Sequence, residues 1–151
     1  MKRINVKFKG YKIGFTLTEL LVVVIIIGIV GTLSLPMLVK TIEKAKLGEA
    51  ASNLNLIRTG EKIYFLEWGY FAGYDGADKT AGILKLNIEN PNSLNSNVYF
   101  TYTIETNKGS AANFTVRAQR KADAPSPYKN YYYEISKEGT ISKSDPLAPS
   151  P

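Results

Sequence analysis

Leu20 to Val39 reads LLVVVIIIGIVGTLSLPMLV, twenty residues without a charge. At about 1.5 Å per residue, a helix of that length matches the roughly 30 Å hydrocarbon thickness of a bilayer. A buried core helix is a poor alternative, because a chain of 151 residues can hardly surround such a rod on every side. A cleaved secretory signal needs small residues in an A-x-A-like arrangement after the apolar stretch, and SLPMLVKTIEK, from Ser34 to Lys44, offers none. The run therefore reads as a membrane anchor that stays with the protein.

Upstream of it the charge is one-sided. The chain carries 19 Lys and Arg against 13 Asp and Glu, a formal net charge of +6, and its pI is near 9.4. Lys2, Arg3, Lys7, Lys9 and Lys12 all precede Gly14 with no acid among them, so from Phe15 onward 14 bases face 13 acids. A nucleic-acid-binding module is disfavoured by that near-neutral remainder. Cations flanking a hydrophobic run instead mark its cytoplasmic side. Within and beside the run, Gly28 and Gly31 loosen a helix, and Pro36 removes a backbone donor and favours a kink. Glu19 stands directly before the run, where a carboxylate costs a few kcal/mol unless it is paired. No Lys or Arg lies between Ile13 and Val39 to pair with it.

A short basic leader ending in Gly14, then Phe15-Thr16-Leu17-Thr18-Glu19, then the apolar span with Pro36, strongly resembles the type IV prepilin family, which includes the pseudopilins of type II secretion. The resemblance covers about a fifth of the chain. It implies that a prepilin peptidase cuts after Gly14 and that Phe15 becomes an N-methylated amino terminus. It further implies that the new amine meets Glu19 of a neighbouring subunit, giving both charges a partner and fixing the axial register. The resemblance also implies that the segment matching Gly28 through Pro36 can lose helical structure in an assembled filament.

Beyond Pro36, apolar residues Val39, Ile42, Ala50, Leu54, Ile57, Tyr64 and Trp68 recur at three- and four-residue steps, with Glu43, Lys44, Lys46, Glu49, Arg58, Glu61, Lys62 and Glu67 mostly on other faces. One helix is expected from about Phe15 to about Trp68, with Gly69 near its end. GYFAGYDGADKTAG, from Gly69 to Gly82, is a Gly-rich loop whose Asp75 and Asp78 lack a full calcium-loop pattern, so no cofactor is expected and calcium is unsupported. Ile83 to Ile88 reads as a short helix or strand, and 90–97 as a linker. Strands are expected over Val98–Thr106, Ala112–Gln119, Tyr131–Ser136 and Thr140–Lys143, followed by a Pro-rich, unordered tail. Tyr128, Tyr131, Tyr132 and Tyr133 are expected to serve packing, and Arg117, Arg120 and Lys121 a solvated edge. Asn113-Phe114-Thr115 is a weak glycosylation sequon.

The fold expected is α+β and pilin-like: a long N-terminal helix, half transmembrane and half amphipathic, packed on a small antiparallel sheet. The organisation is a cleaved leader (1–14), a membrane or filament-core helix (15–39), its amphipathic continuation (40–68), a globular head (69–143) and a tail (144–151). The absence of Cys and His excludes disulfide scaffolds, thiolate zinc sites, and cysteine or histidine catalysis. With no phosphate loop or paired carboxylates either, an enzyme is not expected. The resemblance implies a structural subunit held in the bacterial inner membrane as a single-pass protein, leader inside and head outside, then polymerised into a helical homo-oligomeric filament. Its partners are then the peptidase, the inner-membrane assembly machinery and lipid, with no nucleic acid. Alternatives are a major pseudopilin of a type II secretion system and, less favoured, a membrane-anchored globular domain of other function.

Overall fold

A computed structural model describes residues 14–74, 76–93, 99–106, 108–146 and 148–150. The basic leader, Asp75, part of the 90–97 linker with the start of the first expected strand, Asn107 and Leu147 lie outside the described residues. A single helix, α1 (Leu17–Trp68), is followed by a 3-10 turn (Ile83–Lys85) and four strands: β1 (Phe100–Ile104), β2 (Thr115–Arg120), β3 (Tyr132–Ser136) and β4 (Ile141–Lys143). The chain divides into two compact units, one ending at Leu38 and one from Val39 to Pro151.

In the first unit every described residue is exposed, and Val22, Ile25, Ile29, Val30 and Leu33 all present bare apolar surface. Each such side chain would gain about 1.5–3 kcal/mol on leaving water, so this helix is built for an apolar medium. Two of its hydroxyls are satisfied by the helix itself. Thr32 Oγ1 donates to Ile29 O at 2.8 Å and Ser34 Oγ to Val30 O at 2.8 Å, as a polar side chain in hydrocarbon must.

In the second unit α1 buries one stripe: Glu43, Leu47, Ala50, Leu54, Ile57, Gly60 and Glu61. The spacing of four, three, four, three is the helical period. Ile42 and Trp68, expected on this face, are exposed at 45 % and 60 %. Glu43 and Glu61, expected in solvent, are buried at 5 % and 0 % exposure. The stripe passes through two carboxylates because the sheet and a loop supply partners for them.

The sheet is an antiparallel meander in the order β1-β2-β3-β4. Alternate residues face the helix: Phe100, Tyr102 and Ile104 from β1, Val116 and Ala118 from β2, Tyr133 and Ile135 from β3. They close one core with Leu47, Leu54, Ile57, Phe71 and Ile83. The four strands stand where the alternation predicts them, each slightly shorter than expected, and Ile83–Lys85 is helical rather than extended.

An edge strand offers unpaired backbone groups and needs cover. On β1, Asn92 imitates a strand: its Nδ2 donates to Tyr102 O at 2.7 Å and its Oδ1 accepts from Tyr102 N–H at 2.8 Å. Ile104 N–H donates to Lys79 O at 3.0 Å. At the other end Arg58 of α1 donates to the carbonyls of Lys137 and Glu138, both at 3.1 Å. Gly139 closes that β3–β4 turn at φ +98°, a conformation that favours glycine, and Arg58 Nη2 lies 2.7 Å from where a Cβ would stand.

The expected unordered tail is instead docked. Ala148 is 3 % exposed, Tyr133 OH donates to Pro149 O at 3.2 Å, and Lys143 Nζ donates to Pro146 O, Ala148 O and Ser150 Oγ at 3.0–3.2 Å. Proline-rich composition signals an irregular backbone; here a lysine and a tyrosine hold that backbone in place.

Candidate functional site

The motif residues occupy the start of α1. Gly14 has no neighbour within 4 Å of an added Cβ, and Phe15 is 89 % exposed. The backbone on either side of the expected cut is thus accessible. Thr16 caps the helix. Its Oγ1 accepts from Glu19 N–H at 3.2 Å, and Glu19 Oε2 in return accepts from Thr16 N–H and Thr16 Oγ1–H, both at 2.8 Å. This reciprocal capping box follows from Thr-x-x-Glu at the entry to a helix. The sequence signal for it is the spacing of Thr16 and Glu19, three residues apart just before an apolar run. All three bonds use Oε2 or the Glu19 amide, and Oε1 takes part in none of them.

Further along, α1 runs through Gly28, Gly31 and Pro36 as continuous helix. Pro36 has no N–H to donate to Thr32 O. Added Cβ atoms at Gly28 and Gly31 would touch nothing within 4 Å, so both positions lie open for approach by another helix.

The head is fastened to α1 through buried charges. Arg120 of β2, 4 % exposed, reaches Glu43 with Nε to Oε2 at 3.1 Å and Nη2 to Oε1 at 3.4 Å. Lys46 meets the same carboxylate at 2.7 Å, and Arg120 Nη1 donates to Tyr99 O at 2.8 Å. Burial pushes the Glu43 carboxyl up, and the two cations outweigh it and hold it below the usual value. The expectation of a solvated edge at Arg117, Arg120 and Lys121 is therefore corrected: Arg120 points inward, and Arg117 forms an ion pair with Glu134 at 2.7 Å while its guanidinium lies over the Tyr132 ring at 4.2 Å.

Glu61 anchors the loop after the helix. Its Oε2 accepts from Ala72 N–H at 2.8 Å and its Oε1 from Gly73 N–H at 3.4 Å. Burial dominates here and raises its pKa, with the two amides acting in the opposite direction. Of the tyrosine cluster, Tyr131 and Tyr133 are buried and Tyr128 and Tyr132 half-buried, so it serves packing as expected. Asp78 turns on itself, accepting from Thr80 N–H at 2.8 Å and Thr80 Oγ1–H at 2.6 Å. Among the described residues no three acidic side chains gather in a metal-holding group.

Three likenesses to known proteins bear on this site. Residues 11–35 match the prokaryotic N-terminal methylation motif. Over 61 residues the chain is 39 % identical to the type IV major pilin protein PilA of Myxococcus xanthus (strain DK1622), a stretch covering 40 % of this chain but only 28 % of PilA. The non-core minor pilin PilV of Neisseria meningitidis superposes with a TM-score of 0.50 at 17 % identity, covering 74 % of this chain and 96 % of PilV. That likeness concerns the fold: one long N-terminal helix on a four-stranded antiparallel sheet. The chain thus carries the prokaryotic N-terminal methylation motif at the start of its helix, and its fold is similar to that of a minor pilin.

Proposed function

We propose that the chain is a structural subunit of a type IV pilus-like filament, made as a membrane-stored precursor and polymerised through α1 after cleavage between Gly14 and Phe15. The observation that carries this reading is the wholly exposed apolar helix from Leu17 to Leu38, preceded by an accessible cleavage motif. Such a helix is covered either by lipid or by sister helices, and a move from one to the other leaves its apolar surface buried throughout. The likeness to the PilA stretch supports a pilus over a secretion pseudopilus. The subunit performs no catalysis, and its partners are the prepilin peptidase, the inner-membrane assembly machinery and further copies of itself.

The capping box gives Glu19 a defined task. Thr16 satisfies and orients Oε2, so Oε1 is presented for the amine of a neighbouring subunit's Phe15. A charge held in one direction before assembly loses less freedom on pairing than a free side chain does. Heterologous contacts of this kind extend into open filaments. The test is N-terminal mass spectrometry of the mature protein with filament yield from Glu19→Ala. A methylated Phe15 terminus and membrane-inserted but unassembled variant are expected. An uncut Met1, or wild-type filament yield from the variant, overturns the reading.

A further inference from the structure

Beyond the anchor, α1 places Lys40 and Lys44 one turn apart, and both line a cleft of about 410 Å³ with Lys143 of β4 and the docked tail. Its described walls carry three cations and no carboxylate. Lys143 is fully engaged, its ammonium donating to Pro146 O, Ala148 O and Ser150 Oγ. Neither Lys40 nor Lys44 has an ion-pair partner among the described residues, and both are exposed. Glu43, the nearest acid in sequence, is already held by Arg120 and Lys46. Among the described residues that line it, the cleft is thus a concave surface of positive charge.

Its depth follows from the chain. Lys40 comes directly after the apolar run Leu20–Val39. If that run spans about 30 Å of hydrocarbon, Lys40 lies at the headgroup level and Lys44 about 6 Å beyond it. A snorkelling lysine at a helix end needs only a water-facing direction. Here two lysines one turn apart share a cleft whose third cation, immobilised by the tail, adds field without offering a proton. An anionic phosphodiester at headgroup depth complements that arrangement.

We propose that Lys40 and Lys44, backed by Lys143, form a binding site for the phosphate of an anionic phospholipid in the leaflet on the head side of the membrane. The site holds the stored subunit at a set depth, and it is vacated when the subunit leaves the bilayer. The proposal rests on the reading of α1 as a membrane-stored anchor.

The test uses the full chain reconstituted in phosphatidylcholine bilayers, with spin-labelled phosphatidylglycerol or spin-labelled phosphatidylcholine as probe and electron spin resonance of the motionally restricted lipid as readout. Each lysine near a bilayer surface is worth about fivefold in anionic-lipid preference. Phosphatidylglycerol selection over phosphatidylcholine should therefore fall by roughly 30-fold at the site in K40Q/K44Q, and be retained in K40R/K44R. Equal association of the two lipids with the wild type, or undiminished selection in K40Q/K44Q, overturns the site. Loss of selection on adding inorganic phosphate at constant ionic strength assigns the cleft to free phosphate and overturns the lipid assignment. Absence of any restricted lipid, of either kind, means the helix is not in the bilayer, and that result overturns the anchor reading and the site together.

Discussion

Glu43→Ala tests whether the head is held to its helix by a buried charge pair. Glu43 and Arg120 are 5 % and 4 % exposed, and the substitution leaves Arg120 with the Tyr99 carbonyl and Asp123 at 3.8 Å, an acid that is itself 73 % exposed. Removing one member of a buried pair costs about 3–5 kcal/mol. The surviving contacts place this case near 3 kcal/mol, a large share of a total that is usually about 5–15 kcal/mol. For a domain near 100 residues that is a fall in Tm of roughly 10–20 °C. The assay is thermal unfolding of the full chain in mild detergent, followed by near-ultraviolet circular dichroism, because Tyr133 and Phe100 border the pair. The double variant Glu43→Leu, Arg120→Met should recover most of the loss, since well-packed apolar replacements of buried pairs are often neutral or better. The pair also sets an acid limb. Glu43 is held below its ordinary value of 4.5, so its stabilisation is present above that value and lost as pH falls through the depressed folded one. A loss under about 1 kcal/mol in the single variant, or a double variant no better than the singles combined, would falsify the fastening role.

Two further substitutions probe other buried polar groups. Glu61 has a pKa raised by burial, so the folded state holds its proton more tightly and wild-type stability should fall as pH rises from 4.5 through the raised value; Glu61→Gln should flatten that slope while keeping an acceptor for Ala72 N–H, and parallel pH profiles of the two proteins would sink the idea. Tyr131 OH is buried without a hydrogen-bond partner among the described residues, so Tyr131→Phe should leave stability unchanged or raise it by about 1 kcal/mol, measured by denaturant midpoint, and a comparable loss would show that the hydroxyl is bonded.

Legibility differed by element for physical reasons. The anchor, the motif and the four strands were readable because each rests on a local period or a short contiguous pattern: twenty uncharged residues, alternation in Phe100–Ile104 and Tyr132–Ser136, a turn at Gly139. The helix face was readable only in part. The apolar period places Ala50, Leu54 and Ile57 inward correctly, but it also places Ile42 and Trp68 inward and Glu43 and Glu61 outward. Hydropathy ranks a carboxylate as solvent-facing, and a partner 77 residues away in sequence, such as Arg120, leaves no local trace. The order of the tail is hidden for a different reason. Its order depends on Lys143 meeting three oxygens that irregular backbone happens to offer, and composition records only the irregularity.

The three glutamates on α1 show what the helix must solve at each height. Glu19 sits in the first turn of an exposed apolar helix, and its partner there is Thr16, three residues away. The solution is local, and Oε1 takes part in none of its bonds. Glu43 and Glu61 lie 18 residues apart on the same buried stripe, which is five helical turns. They take opposite partners: a guanidinium from the sheet for the first, two backbone amides from the following loop for the second. Between them run Leu47, Ala50, Leu54 and Ile57, which bind the sheet by area alone. Area sets no axial position, because an apolar stripe tolerates sliding by a turn. Two charged anchors at its ends do not tolerate it, since a one-turn shift of about 5.4 Å would leave a buried carboxylate unpaired at each. The head is thereby fixed at one height along the stretch of α1 between Glu43 and Glu61.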